Sequence, residues 1–115
     1  MNYRIDLPNA SVRHDVEKKD YTKLKEYDEL ITSFKAFKES PDPSHILYRE
    51  FTEGEINFPP TYKYDKKTNK YDSSKKQRVP SWCDRILWRV NPKIKQQAFS
   101  SIQEVMFSDH KPVYS

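Results

Sequence analysis

The sequence has 115 residues, enough for one domain at most. Its 21 lysines and arginines outnumber its 17 acidic residues, and the resulting formal charge of +4 is modest for a nucleic-acid-binding protein. The single cysteine, Cys83, excludes an internal disulfide and a cysteine-cluster zinc site. The single glycine, Gly54, excludes a glycine-rich phosphate loop, so any phosphate chemistry must rely on side chains.

Hydropathy excludes further classes. No run approaches the ~18 apolar residues of a membrane-spanning helix, and the N-terminal residues lack the apolar stretch of a signal peptide. We therefore expect a cytoplasmic protein. Charged residues make up 33% of the chain and aromatic residues 14%, which predicts a chain that folds around a thin core.

The N-terminal part of the chain is predicted to be mainly helical. Residues 1–6 alternate weakly, as at the end of a strand, and a short helix is expected over about residues 11–18. Asn9 or Ser11 is the expected cap of that helix. Apolar residues then recur at three- and four-residue spacing, which predicts one amphipathic helix over about residues 21–38.

The remainder of the chain favours short strands. The polar run over residues 64–77 contains five lysines and is predicted to be an exposed loop or a hairpin. Isolated short strands leave sheet edges unpaired, so the pattern indicates the second half of a larger sheet protein. The stretches that favour strand are residues 46–51, 55–58, 85–90 and 103–107.

Two groups of residues suggest chemistry. Asp84 lies in a largely apolar stretch, where an unpaired carboxylate is costly to bury, and His110 is its expected partner. An imidazole titrates near neutral pH and can hold or protonate a phosphate oxygen. If residues 64–77 fold back as a hairpin, a phenol, two ammonium groups and a guanidinium come together and suit a phosphate. These are Tyr62, Lys63, Lys76 and Arg78.

Four segments, in order and spacing, resemble the inositol polyphosphate 5-phosphatases, the family of synaptojanin and the Lowe-syndrome phosphatase. The N-terminal Asn-Tyr-Arg-Ile is similar to the end of that family's Gly-Asp-x-Asn-Tyr-Arg segment. The Pro-Thr-Tyr-Lys and Trp-Cys-Asp-Arg-Ile-Leu pieces are highly specific. The matching ranges are 2–5, 51–63, 78–87 and 108–113.

The resemblance implies an α/β fold, namely the C-terminal part of a four-layered α/β sandwich of the endonuclease/exonuclease/phosphatase superfamily. Residues 1–115 then form a partial catalytic domain whose N-terminal half is missing. Since the missing half supplies a metal-coordinating Glu and the Asp that activates water, we expect little or no turnover by this chain alone.

The resemblance also implies a mechanism: Mg²⁺-assisted attack of water on the 5-phosphate of a phosphoinositide or a soluble inositol polyphosphate. In that scheme His110 contacts the scissile phosphate and Asp84 orients its imidazole. Asn2 helps to position the phosphate and the attacking water. Asp109 lies close to the metal, as a ligand or in hydrogen-bonding range of one.

Five further residues match substrate-binding positions of the family. Four of them grip the neighbouring 4-phosphate, and Arg4 has a supporting role. The four are Tyr62, Lys63, Lys76 and Arg78. The implied location is cytoplasmic and peripheral at membranes, with no nucleic-acid partner expected. Two other interpretations remain open: a non-catalytic phosphoinositide-binding remnant, and, ranked lower, a nuclease of the same superfamily.

Overall fold

The computed structural model describes residues 2–115, so the first residue of the strand end expected over 1–6 lies outside the described part. The helices are α1 (Asn9–Glu17), α2 (Tyr21–Glu26), α3 (Glu29–Phe37) and α4 (Ile46–Glu50), with a 3-10 turn at Pro43–His45. The strands are β1 (Phe51–Glu53), β2 (Leu87–Arg89), β3 (Ser100–Ser101) and β4 (Val113–Tyr114). No helix among the described residues has the length and apolarity needed to cross a bilayer.

The strands form two separate two-stranded antiparallel sheets. β1 pairs with β2, with Thr52 opposite Trp88, and β3 pairs with β4, with Ser100 opposite Tyr114. A two-stranded sheet is marginally stable by itself. The structure therefore depends on side chains that pack between distant segments.

The core joins the N-terminal helices to the second half of the chain. The Trp82 side chain is fully buried, donates from Nε1 to the carbonyl oxygen of Phe58 at 3.0 Å, and meets the ring of Tyr21 edge-on at 6.2 Å. The buried residues that pack together are Ile5, Val12, Leu24, Ile56, Phe58 and Trp82. One of the segments that carries the sequence resemblance is therefore anchored at the centre of the molecule.

The single helix predicted over residues 21–38 is wrong, because the structure divides it into α2 and α3. The N-terminal segment pairs with the interruption: the Asp6 amide donates to the Tyr27 carbonyl, and the Glu29 amide donates to the Arg4 carbonyl, both at 2.9 Å. Asp28 then begins α3 as its N-cap, accepting from the backbone amide of Ile31 at 3.0 Å. A long-range backbone contact has overridden an amphipathic pattern that continues through the break.

The first helix begins earlier than predicted. α1 starts at Asn9, after Pro8, and no side chain caps it. Neither Asn9 nor Ser11 acts as the expected cap, because both residues lie inside the helix. The strand end expected over residues 2–6 reduces to one isolated bridge, between Ile5 and Asp28.

Three of the four stretches predicted as strands differ in the structure. Residues 46–50 form helix α4, and the strand begins only at Phe51. Residues 55–58 and 103–107 are irregular, although Ile56 and Phe58 are buried. The side chains of Ile56 and Phe58 fill the core although their backbones are not part of a strand. Burial of apolar side chains therefore does not require strand formation here. The prediction over 85–90 is confirmed by β2.

The hairpin predicted within residues 64–77 is confirmed. Tyr64 and Tyr71 form an antiparallel bridge, and the Asp65 amide donates to the Lys70 carbonyl at 2.8 Å. The two tyrosine rings stack with centroids 4.5 Å apart. The hairpin therefore begins directly after the Pro-Thr-Tyr-Lys segment.

Candidate functional site

Three of the four resembling segments meet at Tyr62. The Tyr62 amide donates to the Ser81 carbonyl at 3.2 Å, and the Ser81 amide donates back at 2.9 Å. Tyr62 also bridges His110, while the Lys111 amide donates to the Thr61 carbonyl at 2.8 Å. Backbone pairing thus brings together residues that lie far apart in the sequence, and their side chains share one site.

Asp84 and His110 form the pair that the sequence predicts. Nδ1 of His110 lies 2.6 Å from Oδ2 of Asp84. The imidazole is 33% exposed and the carboxylate 45%, so both remain accessible to a ligand. With the Nδ1–H donating to the carboxylate, Nε2 is left for an incoming oxygen. The pair borders a cavity of about 300 Å³ whose wall includes Phe107 and Ser108.

The Tyr62 ring lies between Arg4 and His110. The guanidinium carbon of Arg4 is 4.8 Å from the centre of the Tyr62 ring, and the His110 ring centre is 4.7 Å away. Nη1 of Arg4 also donates to Sγ of Cys83 at 3.3 Å. The N-terminal segment therefore packs against the site and places a cation beside the aromatic ring.

Residues on both sides of the hairpin contact one carboxylate, that of Asp72. The amide of Arg78 donates to Oδ2 of Asp72 at 2.8 Å, and Nζ of Lys63 lies 3.8 Å from the same oxygen. Hydrogen bonds from Ser74, and then from the Arg78 amide, hold the pKa of the Asp72 carboxyl well below its usual range. Lys76 and Arg78 are both exposed, and among residues 2–115 neither side chain forms a hydrogen bond or an ion pair. The structure thus holds Lys63 at its charged group but Arg78 only at its backbone.

Asp109 precedes His110 in the chain, and Asn2 belongs to the N-terminal segment that contacts Cys83. The thiol of Cys83, next to Asp84, donates to the Tyr3 carbonyl at 3.4 Å, which brings the N-terminal segment to this side of the molecule. The Asn2 side chain is exposed and forms no hydrogen bond among the described residues. The Asp109 carboxylate is half-buried, 3.5 Å from the Ser108 hydroxyl. The roles of Asn2 and Asp109 remain predictions.

The described side chains offer few ligands for a metal ion. Among the described residues no group of three or more histidine, cysteine, aspartate or glutamate side chains surrounds a common point. Mg²⁺, however, usually binds through one or two carboxylates together with waters and substrate phosphates. Asp109 fits that requirement as the source of one carboxylate oxygen.

Two cations of the resembling segments are structural: the resemblance implies such a bracing role for Arg85, whereas nothing in the sequence indicated one for Lys111. Lys111 is buried, and its Nζ donates to the carbonyls of Thr68 and Val105 at 3.2 and 3.1 Å. Burial lowers the pKa of its ammonium group. Arg85, also buried, donates to the carboxylates of Asp28 and Glu53 at 2.7–2.8 Å.

Comparison with known proteins identifies the family. A family model described as Endonuclease/Exonuclease/phosphatase family 2 matches residues 1–115. The chain belongs to this family.

Its relatives confirm the resemblance to inositol polyphosphate 5-phosphatases. The chain is 40% identical over 114 residues to a phosphatidylinositol 4,5-bisphosphate 5-phosphatase of Saccharomyces cerevisiae, covering 99% of this chain and 11% of that protein. It is 41% identical over 116 residues to the type II inositol 1,4,5-trisphosphate 5-phosphatase of Mus musculus, covering 100% and 11%. The chain therefore spans about a tenth of the length of these relatives.

A solved structure confirms the fold class. The inositol polyphosphate 5-phosphatase domain of SPsynaptojanin, crystallised with inositol (1,4)-bisphosphate and a calcium ion, matches with a TM-score of 0.81 and 37% identity. The match covers 96% of this chain and 30% of that one. A Cimex nitrophorin in a ferrous NO complex matches with a TM-score of 0.74 and 25% identity, covering 97% and 36%. The same architecture thus occurs in a protein named for a different ligand.

Proposed function

We propose that this chain is part of a Mg²⁺-dependent phosphatase that transfers the 5-phosphate of a phosphoinositide or soluble inositol polyphosphate to water. The observation that carries the proposal is the contact of 2.6 Å between Asp84 and His110, beside Tyr62 and Arg4. The relatives are named for the same reaction, and the SPsynaptojanin domain was crystallised with an inositol bisphosphate.

In this proposal, the Asp84–His110 pair acts on the scissile phosphate. The carboxylate of Asp84 accepts the Nδ1 proton, which fixes the tautomer and orientation of the ring. Nε2 of His110 then donates a hydrogen bond to a phosphate oxygen when the ring is protonated, and so stabilises negative charge that develops during hydrolysis. Asn2 aligns the phosphate and the attacking water.

The basic residues hold the rest of the substrate. Tyr62, Lys63, Lys76 and Arg78 bind the neighbouring 4-phosphate, and Arg4 adds positive charge beside the Tyr62 ring. A guanidinium binds phosphate oxygens in a planar, bidentate manner, whereas an ammonium group acts as a point charge. Lys76 is exposed and has the reach of a long side chain.

Asp109 would hold the Mg²⁺ ion through one carboxylate oxygen. When bound, such an ion polarises the phosphate and balances the charge of the transition state. The calcium ion in the SPsynaptojanin domain supports a divalent cation in this family. We also propose that the protein acts in the cytoplasm at membrane surfaces, which rests on the sequence resemblance.

The test measures phosphate release from vesicles containing phosphatidylinositol 4,5-bisphosphate and from soluble inositol 1,4,5-trisphosphate, with and without Mg²⁺. It uses both this chain and the longest product of its gene that contains this chain. We expect His110→Ala to lower kcat by about 10²–10³-fold, because the donor that stabilises negative charge developing on the phosphate is lost. Asp84→Asn should lower kcat by about 10–100-fold, since the ring loses its orienting carboxylate.

His14→Ala is the matched control, because His14 is exposed on α1. It should leave phosphate release unchanged. Hydrolysis that survives His110→Ala at the original rate contradicts the proposed mechanism. Binding of the inositol phosphate by the longer product, without release of phosphate, would instead support a phosphoinositide-binding protein.

A further inference from the structure

Asp72 is a buried carboxylate among exposed cations. Asp72 is 1% exposed, although it follows the hairpin directly and precedes a segment rich in lysine. Oδ1 accepts from the Ser74 amide at 2.9 Å, and Oδ2 accepts from the Arg78 amide at 2.8 Å. Nζ of Lys63 lies 3.8 Å from Oδ2. The Asp72 side chain thus contacts Lys63, which precedes the hairpin, and Arg78, which follows it.

Helix α1 holds the same segment from the other side. Nδ2 of Asn9 donates to the Gln77 carbonyl at 2.6 Å, and Nη2 of Arg13 donates to the Asp72 carbonyl at 2.7 Å. Nε of Arg13 donates to Oδ1 of Asn9 at 2.5 Å, which links the two contacts. Both ends of residues 72–77 are therefore fixed to α1, even though most of their side chains are exposed.

Fixing the backbone matters for a ligand held by long cationic side chains. Lysine and arginine lose much rotamer freedom when they bind, and fixing them beforehand reduces that loss. The contact with Asp72 restrains Lys63 at its ammonium group and Arg78 at its backbone. The origin of the Arg78 side chain is thereby fixed relative to the Lys63 ammonium group, whereas its guanidinium stays exposed.

We propose that Asp72 is a positioning residue that makes Lys63 and Arg78 selective for a ligand with two neighbouring phosphates. Asn9 and Arg13 fix the same segment to α1. This inference rests on the proposed function, because it concerns the binding of the 4-phosphate. Asp72 itself does not touch the substrate.

Electrostatics alone gives the opposite expectation. Asp72 is ionised, and its negative charge repels a nearby phosphate. If charge were its whole effect, neutralising it would tighten binding of the bisphosphate. If positioning dominates, the same substitution weakens binding. Whether Asp72→Asn tightens or weakens binding of the bisphosphate therefore distinguishes charge repulsion from positioning.

The test compares binding of inositol 4,5-bisphosphate and inositol 5-monophosphate to the full chain by calorimetry. We expect Asp72→Asn to weaken binding of the bisphosphate about tenfold and binding of the monophosphate less than about twofold, because the second phosphate loses its prearranged cations. Asn9→Ala, which leaves the core untouched, should change the same ratio about threefold. Asp20→Asn is the charge-matched control, since Asp20 is exposed and makes no capping hydrogen bond.

Amide hydrogen exchange provides a readout that needs no ligand. Asp72→Asn should speed exchange at the Ser74 and Arg78 amides, and Asp20→Asn should not. Tighter binding of the bisphosphate, equal weakening of both ligands, or unchanged exchange at these amides overturns the inference. If neither this chain nor the longer gene product binds either ligand, the proposed function is at fault, and the exchange data still decide whether Asp72 fixes the segment.

Discussion

Cys83 illustrates how burial changes the chemistry of a side chain within a specific motif. Its residue is 2% exposed, and desolvation raises the pKa of the thiol to about 11 despite the nearby Arg4 guanidinium. The thiol donates to the Tyr3 carbonyl and accepts from Arg4. Cys83 therefore connects the N-terminal segment to the site without being a nucleophile.

We predict that Cys83 resists alkylation in the folded chain. At pH 8 only about one thiol in a thousand is ionised when the pKa is three units higher, and the thiolate is the reactive form. Iodoacetamide labelling followed by mass spectrometry should show slow modification in buffer. Labelling in urea should be rapid, because unfolding restores the ordinary pKa. Fast labelling of the folded chain contradicts this prediction.

At the scale of the elements, Arg85 joins parts of the chain that have little regular structure of their own. It reaches Asp28, the N-cap of α3, and Glu53, the last residue of β1, from the segment that leads into β2. Its guanidinium side chain is 3% exposed, and the two carboxylates 0% and 7%. The break between α2 and α3 and the short β1–β2 sheet therefore share one buried ionic contact.

We predict that Arg85→Met destabilises the chain by about 3–5 kcal/mol, because two buried carboxylates lose their counter-charge. The measurement is the free energy of unfolding from urea denaturation followed by circular dichroism. Arg89→Ala is the matched control: it removes the Arg89–Glu50 contact, whose side chains are 69% and 39% exposed. A surface ion pair contributes about 0–1 kcal/mol. Equal losses for the two variants contradict the prediction.

The whole molecule is less compact than a typical domain of its length. Its radius of gyration is 15.0 Å, and its extents are 43 × 28 × 24 Å. A compact domain of this size has a radius of gyration of about 13 Å. The accessible surface is 7560 Å², against about 6,600 Å² expected for this mass. The protein is therefore more extended than a typical domain of its length, and we expect the core around Trp82 to contribute much of its stability.

We predict that Trp82→Ala lowers the free energy of unfolding by about 3–5 kcal/mol, because it leaves a large cavity in the core. It also leaves the Phe58 carbonyl without its hydrogen bond. Trp88→Ala, in the half-buried β2 strand, should cost about 1 kcal/mol. Urea denaturation of both variants checks the difference. A similar loss of unfolding free energy for the two variants would contradict the assignment of the core to the surroundings of Trp82.

The sequence determined the family, because the motifs combine residue types in a fixed order that does not depend on where the elements lie. For residues 64–77 it left a loop and a hairpin open, and the pairing of Tyr64 with Tyr71 in the structure decided for the hairpin. The boundaries of helices and strands could be predicted less well from the sequence. The break at Asp28 and the helix over residues 46–50 depend on contacts with distant segments, which override local patterns.

The sequence named His110 as the partner of Asp84, and the tertiary structure decided how the two meet. The pairing of Tyr62 with Ser81 and His110 brings the two side chains to 2.6 Å. Tertiary structure alone decided that Asp72 contacts the ammonium group of Lys63 and the backbone of Arg78. A motif specifies residue types and spacing along the chain, whereas distances between motifs follow from backbone pairing and core packing across the fold.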